Sequence, residues 1–221
     1  MSSEDILDYF NGSEIQFILK QFQMQVESFF KENPALNNPT YPIVHSVKSR
    51  IKATSHLEDK LKRKGTGVTK ENLFDKVNDL IGVRVLHLYQ SQLREIHDEI
   101  QKKVDTEEWV FVENPKVYTW DPENRDFFSE LGLVIDINDS FYTSVHYVIR
   151  PATKNAFITC EIQVRTLFEE IWGEISHSIN YPNETESIAC QEQIKTLAKL
   201  TNAGTRLSES IIRSFDEYKS R

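Results

Sequence analysis

The segment from Phe157 to Thr166 carries an unusual set of polar side chains. It is rich in isoleucine, valine and threonine and is predicted to be a β-strand. Successive side chains of a strand point to opposite faces, so one face is apolar and the other is polar. The polar face carries Thr159, Glu161, Gln163 and Arg165. These groups exceed what solubility requires, although an ordinary half-exposed strand is the simpler interpretation of an isolated segment.

A second predicted strand, Thr143 to Arg150, shows the same alternation. One of its faces is lined by Thr143, Val145, Tyr147 and Ile149. The other face, extended to the preceding residue, is lined by Tyr142, Ser144, His146 and Arg150. Two polar strand faces in one chain could together form one side of a cleft.

Asp79 is a third candidate for chemistry, because it directly precedes the predicted strand Leu80 to Leu88. Its carboxylate should therefore lie at the mouth of a strand. One aspartate and one glutamate on neighbouring strands, here Asp79 and Glu161, suit a Mg²⁺ ion that keeps several waters and also binds substrate phosphates. The alternative for Asp79 alone is a turn or cap residue.

A basic segment precedes these strands. We predict one helix from about Ile43 to Lys64, ending at Gly65, with an apolar face that packs on the sheet. Its opposite face would carry Lys48, Lys52, His56, Lys60, Arg63 and Lys64. Like charges at a spacing of four residues repel, and a bound polyphosphate would offset that repulsion. A solvated helix face is the alternative.

The remaining pattern predicts helices around a central group of strands. Further predicted elements are a helix that Ser13 caps and that continues to about Phe29, a loop from Asn33 to Pro42, a helix from Gln92 to Val104, a strand from Leu133 to Ile137, a helix after Thr166 that Pro182 ends, and a helix from about Thr185 to Tyr218. Helices and strands in this order predict an α+β fold.

Composition limits the class of protein. The 221 residues carry a net charge of −8, which argues against binding nucleic acid through bulk electrostatics, although a local basic patch can still bind phosphates. We expect no membrane span and no secretory signal, because no apolar run is long enough and the first residues are acidic. Two cysteines, Cys160 and Cys190, form no disulfide framework and favour a reducing, cytoplasmic location.

Four segments in this order resemble the synthetase domain of the RelA/SpoT family and, in length, the small alarmone synthetases. They are His45 to Lys52 with Lys60 and Arg63-Lys64, Asp79 to Arg84, Tyr142 to His146, and Glu161 to Thr166, which continues to Trp172. The resemblance covers roughly residues 41–182. It implies a nucleotidyltransferase-like mixed β-sheet flanked by helices, with an N-terminal helical extension over residues 1–40 and a C-terminal helical tail over residues 183–221.

The resemblance also implies an activity, the transfer of the β,γ-pyrophosphate of ATP to the 3′-hydroxyl of GDP or GTP, which makes (p)ppGpp. By position, the expected ATP contacts are Arg50, Lys52, Lys60, Arg63 and Arg84. Asp79 and Glu161 are the expected Mg²⁺ ligands, and Glu161 is also placed to take the proton from the attacking hydroxyl. Tyr142 is expected to stack on the acceptor base, with His146 and Gln163 as further acceptor contacts.

The sequence departs from the family pattern on the acceptor side. Phe141 replaces a usual glycine, Asn138 replaces a usual lysine, and Glu170 occupies the place of an expected asparagine. The alternatives are therefore a toxic relative that modifies the 3′ end of tRNA or another nucleotide, with an antitoxin as partner, and a regulator that binds nucleotides without turnover. The apolar stripe of the C-terminal helix could pack within the chain or form a homo-oligomer.

Overall fold

The computed structural model describes residues 3–154, 156–181 and 183–221, apart from the side chain of Thr66. The α-helices in the described part are α1 (Ser3–Asn11), α2 (Ser13–Glu32), α3 (Thr54–Lys64), α4 (Leu73–Lys76), α5 (Gln92–Asp105), α6 (Arg125–Glu130), α7 (Leu167–Asn180) and α8 (Ile188–Lys219). The strands are β1 (Ser46–Ile51), β2 (Ile81–His87), β3 (Trp109–Phe111), β4 (Lys116–Thr119), β5 (Val134–Ile137), β6 (Ser144–Pro151) and β7 (Cys160–Thr166).

All the strands join one mixed sheet. Its order is β1-β2-β7-β6-β4-β5, and β3 pairs with β6 beside β4. The pairs β2–β7 and β4–β5 are parallel, whereas β1–β2, β6–β7, β4–β6 and β3–β6 are antiparallel. Helices flank this sheet, so the predicted α+β class with a mixed sheet is confirmed.

One face of the sheet forms the main hydrophobic core. Val83, Ile162 and Tyr147 are fully or almost fully buried on adjacent strands, and they belong to the same cluster as Phe22 and Val26 of α2. Helix α2 packs on β1 and β2, and α5 packs on β3. Burial of apolar surface, at about 25 cal/mol per Å², therefore ties the N-terminal helices to the sheet.

The prediction of one helix from Ile43 to Lys64 is wrong in its first half. Residues 46–51 form β1, which pairs antiparallel with β2, and only Thr54–Lys64 is helical. The error has a geometric reason: a spacing of four residues places two side chains on one face of either a helix or a strand. Val47 and Ile51 therefore fit both structures, and pairing with β2 decides between them.

The other predicted elements are found with shifted bounds. Helix α2 begins at Ser13, but Gly12 is its N-cap residue and no side chain caps it. The short strands β3 and β4 were not predicted, because three or four residues are too few to show a period. The predicted stop at Pro182 lies outside the described residues. The division into 1–40, 41–182 and 183–221 stays a prediction.

Helix α8 packs on α7 and on the turn before α6. The Trp172 indole N–H donates to the Ile194 carbonyl at 3.0 Å, and the ring of Phe168 lies against Gly204, where a Cβ atom would come within 2.6 Å. Arg206 forms ion pairs with Asp121 and Glu123. In the described part of the chain, no helix has both the length and the apolar character needed to cross a membrane.

Candidate functional site

The second face of the sheet is polar and carries most of the predicted site residues. Because β1, β2, β7 and β6 are neighbours, residues in register form rows across the sheet. One row is Lys48, Arg84, Gln163 and His146, and the adjacent row contains Arg50, Gly82 and Glu161. The sheet register thus brings together residues that are up to 115 positions apart in the sequence, the separation of Lys48 and Gln163.

A lysine cluster, consisting of Lys52, Lys60 and Asp79, lies at one edge of this face. The Lys52 Nζ and Lys60 Nζ atoms lie 2.8 and 2.7 Å from the two carboxylate oxygens of Asp79. Lys52 directly follows β1, where its backbone N–H donates to the Leu80 carbonyl. Burial raises the pKa of Asp79, but hydrogen bonds from the two lysines outweigh it and lower the pKa overall. Asp79 is therefore a carboxylate at neutral pH.

Helix α3 presents Lys60 to this cluster. Leu57 and Leu61 are buried in the core, so the helix is fixed on one side and Lys60, between them, turns toward Asp79. Arg63 lies one turn further on at an exposed position, where its Nε donates to the Asp59 carbonyl at 3.4 Å. The segment predicted to be one helix thus contacts Asp79 twice, through Lys52 at the end of β1 and through Lys60 on α3.

Glu161 is held at both of its oxygens. His146 Nδ1 lies 3.2 Å from Oε1, and Gln163 Nε2 donates to Oε2 at 2.6 Å. Burial raises the pKa of Glu161, but the contacts with His146 and Gln163 lower it, so that the net shift is downward even though the charge of Asp79 opposes it. The carboxylate is charged and has a fixed orientation at neutral pH.

Asp79 and Glu161 lie at the same edge of the sheet. Asp79 lies two residues before the first residue of β2, and Glu161 is the second residue of β7, which runs parallel to β2. The Thr159 hydroxyl donates to the Asn78 carbonyl at 3.3 Å, which ties the start of β7 to the turn that carries Asp79. The described residues contain no group of three or more His, Cys, Asp or Glu side chains that could hold a metal ion. Two carboxylates fit a Mg²⁺ ion whose other ligands are water and phosphate oxygens.

Glu161 also belongs to a hydrogen-bonded ring of five residues. The ring consists of Tyr142, His146, Glu161, Gln163 and Arg165. The Tyr142 hydroxyl lies 2.9 Å from His146 Nε2, and Arg165 Nη2 donates to both the Tyr142 hydroxyl at 3.0 Å and Gln163 Oε1 at 2.6 Å. Burial raises the pKa of Tyr142, so that its phenol stays protonated.

Two acids of α7 pair with cations of the polar face. Glu170 accepts from Lys48 at 3.0 Å and from Arg84 at 2.9 Å, and Glu174 accepts from Arg84 at 2.6 Å. Helix α7 begins immediately after β7 with a capping box between Thr166 and Glu169, so it leads back over the polar face. Glu170 is buried, and the hydrogen bonds from its cations lower its pKa against the effect of burial.

The comparison with known protein families is decisive for this chain. Residues 49–186, more than half of its length, match the family described as a region found in RelA / SpoT proteins. The chain belongs to the RelA/SpoT family.

Individual relatives agree with this assignment. The chain is 27% identical over 140 residues to the GTP pyrophosphokinase YwaC of Bacillus subtilis (strain 168), and the aligned part covers 63% of this chain but only 59% of YwaC. Among solved structures, smu.1046c from Streptococcus mutans UA159 superposes with a TM-score of 0.72 at 18% identity, covering 94% of this chain and 98% of that protein.

The small alarmone synthetase 1 from Bacillus subtilis, solved with its product pppGpp, has a TM-score of 0.67 at 18% identity, covering 93% of this chain and 97% of that protein. These similarities confirm the predicted fold.

The RelA/SpoT residues predicted from the sequence fall into two groups in the structure. Lys52, Lys60 and Asp79 form the lysine cluster, and Tyr142, His146, Glu161 and Gln163 belong to the hydrogen-bonded ring. Arg50 lies over Gly82, where a Cβ atom would be in ordinary van der Waals contact, at 3.8 Å, with the aliphatic stem and Nε of Arg50. Arg84 is paired with acids of α7, and Arg63 stays at the exposed end of α3.

Three charged residues of the site received no role from the sequence. The sequence predicts Arg165 on the polar strand face, gives Glu170 only as a departure from the RelA/SpoT pattern, and counts Lys48 as part of a basic helix face. Glu170 and Glu174 do form salt bridges, whereas His177 stacks on the ring of Tyr181 at 4.6 Å. Alternation in β1 and β7 could have found Lys48 and Arg165, but their partners on α7 are visible only in three dimensions.

Phe141 departs from the RelA/SpoT pattern but keeps the backbone that a glycine would favour. Its φ angle is +62°, a left-handed conformation that costs other residues roughly 1–2 kcal/mol. Its ring lies 5.1 Å from that of Trp120 and packs against the small cluster of Trp172, Ile194 and Ala198. Packing of the aromatic ring offsets the strain, so the loop before Tyr142 keeps its course without glycine.

Proposed function

We propose that this chain is a pyrophosphokinase that transfers the β,γ-pyrophosphate of ATP to the 3′-hydroxyl of GDP or GTP, giving (p)ppGpp and AMP. The observation that carries the proposal is a charged, doubly held Glu161 carboxylate at the same sheet edge as the lysine cluster. Membership of the RelA/SpoT family supports it, as do a relative named a GTP pyrophosphokinase and one solved with pppGpp.

The lysine cluster suits the triphosphate of ATP. Lys52 and Lys60 both pair with Asp79, and an entering polyphosphate offers them stronger, more charged partners. Arg50, Arg63 and Arg84 are the further contacts that we assign to ATP, and the planar guanidinium of Arg84 suits stacking on adenine. These cations would offset the negative charge that grows on the phosphate oxygens during transfer.

Asp79 and Glu161 would hold the Mg²⁺ ion. When bound, the ion would neutralise charge on the phosphate oxygens of ATP and orient them. The two lysines keep Asp79 ionised, and the contacts with His146 and Gln163 keep Glu161 ionised. Both carboxylates are therefore ready to bind a cation without first losing a proton.

The hydrogen-bonded ring forms the acceptor side. We assign stacking of the acceptor base to Tyr142 and further acceptor contacts to His146 and Gln163. Glu161 takes the proton of the 3′-hydroxyl while the oxygen of that hydroxyl bonds to the β-phosphorus of ATP. The bond between the α,β-bridging oxygen and the β-phosphorus breaks, and AMP leaves. General base catalysis of this kind contributes roughly 10² to 10⁴-fold.

A second acceptor class, the 3′ end of tRNA, stays an alternative, and one contact of Glu170 bears on it. Glu170 pairs with Lys48, so this cation already has a partner before the 5′-phosphates of a free nucleotide could bind it. An antitoxin partner for such a toxic relative stays a prediction. Self-association through α8 also stays a prediction, and the exposed Leu200, Leu207 and Ile211 of this helix are consistent with it. We infer a cytoplasmic location from the unpaired Cys160 and Cys190.

The test is to incubate the purified protein with Mg²⁺, γ-labelled ATP and, separately, GDP, GTP or bulk tRNA. We expect label on a guanosine nucleotide, and α-labelled ATP should yield AMP rather than ADP. Label in tRNA would move the proposal to the second acceptor. ATP binding without transfer to any acceptor would contradict the enzymatic function and favour a nucleotide-binding regulator.

A further inference from the structure

Arg165 of β7 is a buried cation with an unusual arrangement of partners. Its side chain is 5% exposed, and one nitrogen, Nη2, donates both to Gln163 Oε1 at 2.6 Å and to the Tyr142 hydroxyl at 3.0 Å. Its guanidinium carbon also lies 5.2 Å from the centre of the Tyr142 ring. Placing an arginine in the interior is costly, so we expect the contacts of Arg165 to have a role other than solubility.

Each hydrogen bond of the ring near Arg165 can have only one direction, from a fixed donor to a fixed acceptor. Arginine donates and never accepts, whereas an ionised glutamate accepts and never donates. Because Arg165 occupies the Gln163 carbonyl oxygen, the amide nitrogen of Gln163 must face Glu161, as the distance of 2.6 Å to Oε2 requires. Without Arg165 the oxygen of this amide would lose its donor, and the side chain could rotate away from the carboxylate.

The second arm of the ring obeys the same logic. Since Arg165 donates to the Tyr142 oxygen, the phenol hydrogen is free for His146 Nε2, 2.9 Å away. A neutral imidazole that accepts at Nε2 carries its hydrogen on Nδ1, and that nitrogen faces Glu161 Oε1 at 3.2 Å. Both arms therefore begin at Arg165 and end as donors to one oxygen each of Glu161.

We infer that Arg165 is a positioning residue that orients Gln163, Tyr142 and, through Tyr142, the tautomer of His146, so that the Glu161 carboxylate keeps one geometry. The inference rests on the proposed function, because it gives Arg165 its role through the general base. Arg165 also couples Tyr142, which we expect to stack on the acceptor, to the general base, because one nitrogen of Arg165 donates both to Tyr142 and to Gln163, and Gln163 holds Glu161.

Helix α7 holds Arg165 in this place. Glu170 Oε2 lies 3.6 Å from Arg165 Nη1, and a Cβ atom at Gly173 would come within 3.0 Å of the same nitrogen. Glycine at 173 therefore leaves the space that the guanidinium occupies. A methyl group there would displace Arg165 by a few tenths of an ångström while every hydrogen-bonding partner stays present.

The kinetic test uses Arg165→Met, Arg165→Lys and Gly173→Ala, with Arg213→Met at an exposed position of α8 as the control. We expect Arg165→Met to lower kcat by about 10²-fold, because misplacing a reacting group by 1 Å costs on that order, and to raise the acceptor KM while the ATP KM is unchanged. Arg165→Lys and Gly173→Ala should lie between this variant and wild type, and Arg213→Met should match wild type. A kcat equal to wild type in the folded fraction of both Arg165 variants overturns the inference.

A second readout does not depend on turnover. The ¹⁵N shifts of the His146 ring in labelled wild type should report the tautomer with hydrogen on Nδ1, and Arg165→Met should give a mixture of tautomers. An unchanged tautomer in a folded Arg165→Met protein overturns the inference whether or not the wild type transfers pyrophosphate. Absence of transfer by wild type contradicts the proposed function instead, so the two failures are distinguishable.

Discussion

The lysine cluster and the hydrogen-bonded ring lie on the same sheet face but are built differently. In the lysine cluster, charges hold Asp79. The side chains of Asp79 and Lys60 are 22% and 25% exposed. In the ring, neutral and charged groups satisfy one another in a fixed direction, and Arg165 is almost fully buried. Partly exposed ion pairs exchange partners at little cost, whereas a buried hydrogen-bonded network does not.

This difference matches the tasks that we assign to the two groups. A polyphosphate brings its own charge and can replace Asp79 as the partner of the lysines. A general base needs a fixed carboxylate before the substrate arrives, because preorganised groups need no rearrangement during the reaction. The two groups should therefore respond differently to substitution, pH and salt.

The largest effect is expected at the end point of the ring. Glu161→Gln keeps the shape of the side chain but removes the base and one metal ligand, so kcat should fall by at least about 10²-fold while ATP affinity is kept. Steady-state kinetics and ATP titration measure the two quantities. Turnover at the wild-type level would show that the role given to Glu161 is wrong.

A smaller effect is expected from Tyr142, where stacking and ring geometry can be separated. Tyr142→Ala should raise the acceptor KM by about 30-fold, since stacking of a base on an aromatic ring contributes about 1–3 kcal/mol. Tyr142→Phe keeps stacking but removes the hydroxyl that Arg165 and His146 share, so it should lower kcat more than it raises KM. An acceptor KM that Tyr142→Ala leaves unchanged would refute stacking.

A change of pH should affect the stability of the fold beside the hydrogen-bonded ring more than it affects the lysine cluster. His87 is buried and lines, together with Arg165 and Thr166, a cavity of about 20 Å³, and burial lowers the pKa of His87 to about 4. The unfolded chain takes up this proton near pH 6.5, so the stability is complete above pH 6.5 and decreases as the pH falls toward 4. From pH 7 to pH 5 the free energy of unfolding should fall by about 2 kcal/mol.

Denaturant unfolding of wild type and His87→Asn measures this effect. The asparagine keeps a donor for the Tyr89 carbonyl, which His87 Nδ1 contacts at 3.0 Å, but does not titrate. The difference in unfolding free energy between the two proteins isolates His87, since they share all other titrating groups. Parallel curves between pH 7 and pH 5 would contradict a buried neutral His87.

The smallest effect is expected in the lysine cluster. Lys60→Met should raise the ATP KM on the order of fivefold, because one charge-assisted contact is lost while Lys52 still neutralises Asp79. The KM of wild type should rise with salt more steeply than that of Lys60→Met, because partly exposed charges are screened. Lys62→Met, on the exposed side of the same helix, is the control. Equal salt dependence in the two proteins would argue against contact of Lys60 with phosphate.

Much of the sheet could be predicted from the sequence, because alternation is a local property. In β2, β6 and β7 most apolar residues fall on the core face and most polar residues on the other, as expected from a period of two, with Leu86 and Val148 as exceptions on the polar face. Segment 46–51 could not be assigned in this way. Its spacing fits a helix as well, and only the backbone hydrogen bonds to β2 distinguish the two.

The sequence by itself determined which residues share the polar face of a strand, including Glu161, Gln163 and Arg165 on β7, since side-chain direction follows from the backbone of one strand. Tertiary structure alone decided that Lys52 and Lys60 meet at Asp79, that Glu170 on α7 pairs with Arg84, and that both arms of the ring end at Glu161. These contacts join residues of different elements, and their geometry depends on the order and register of strands that no local pattern specifies.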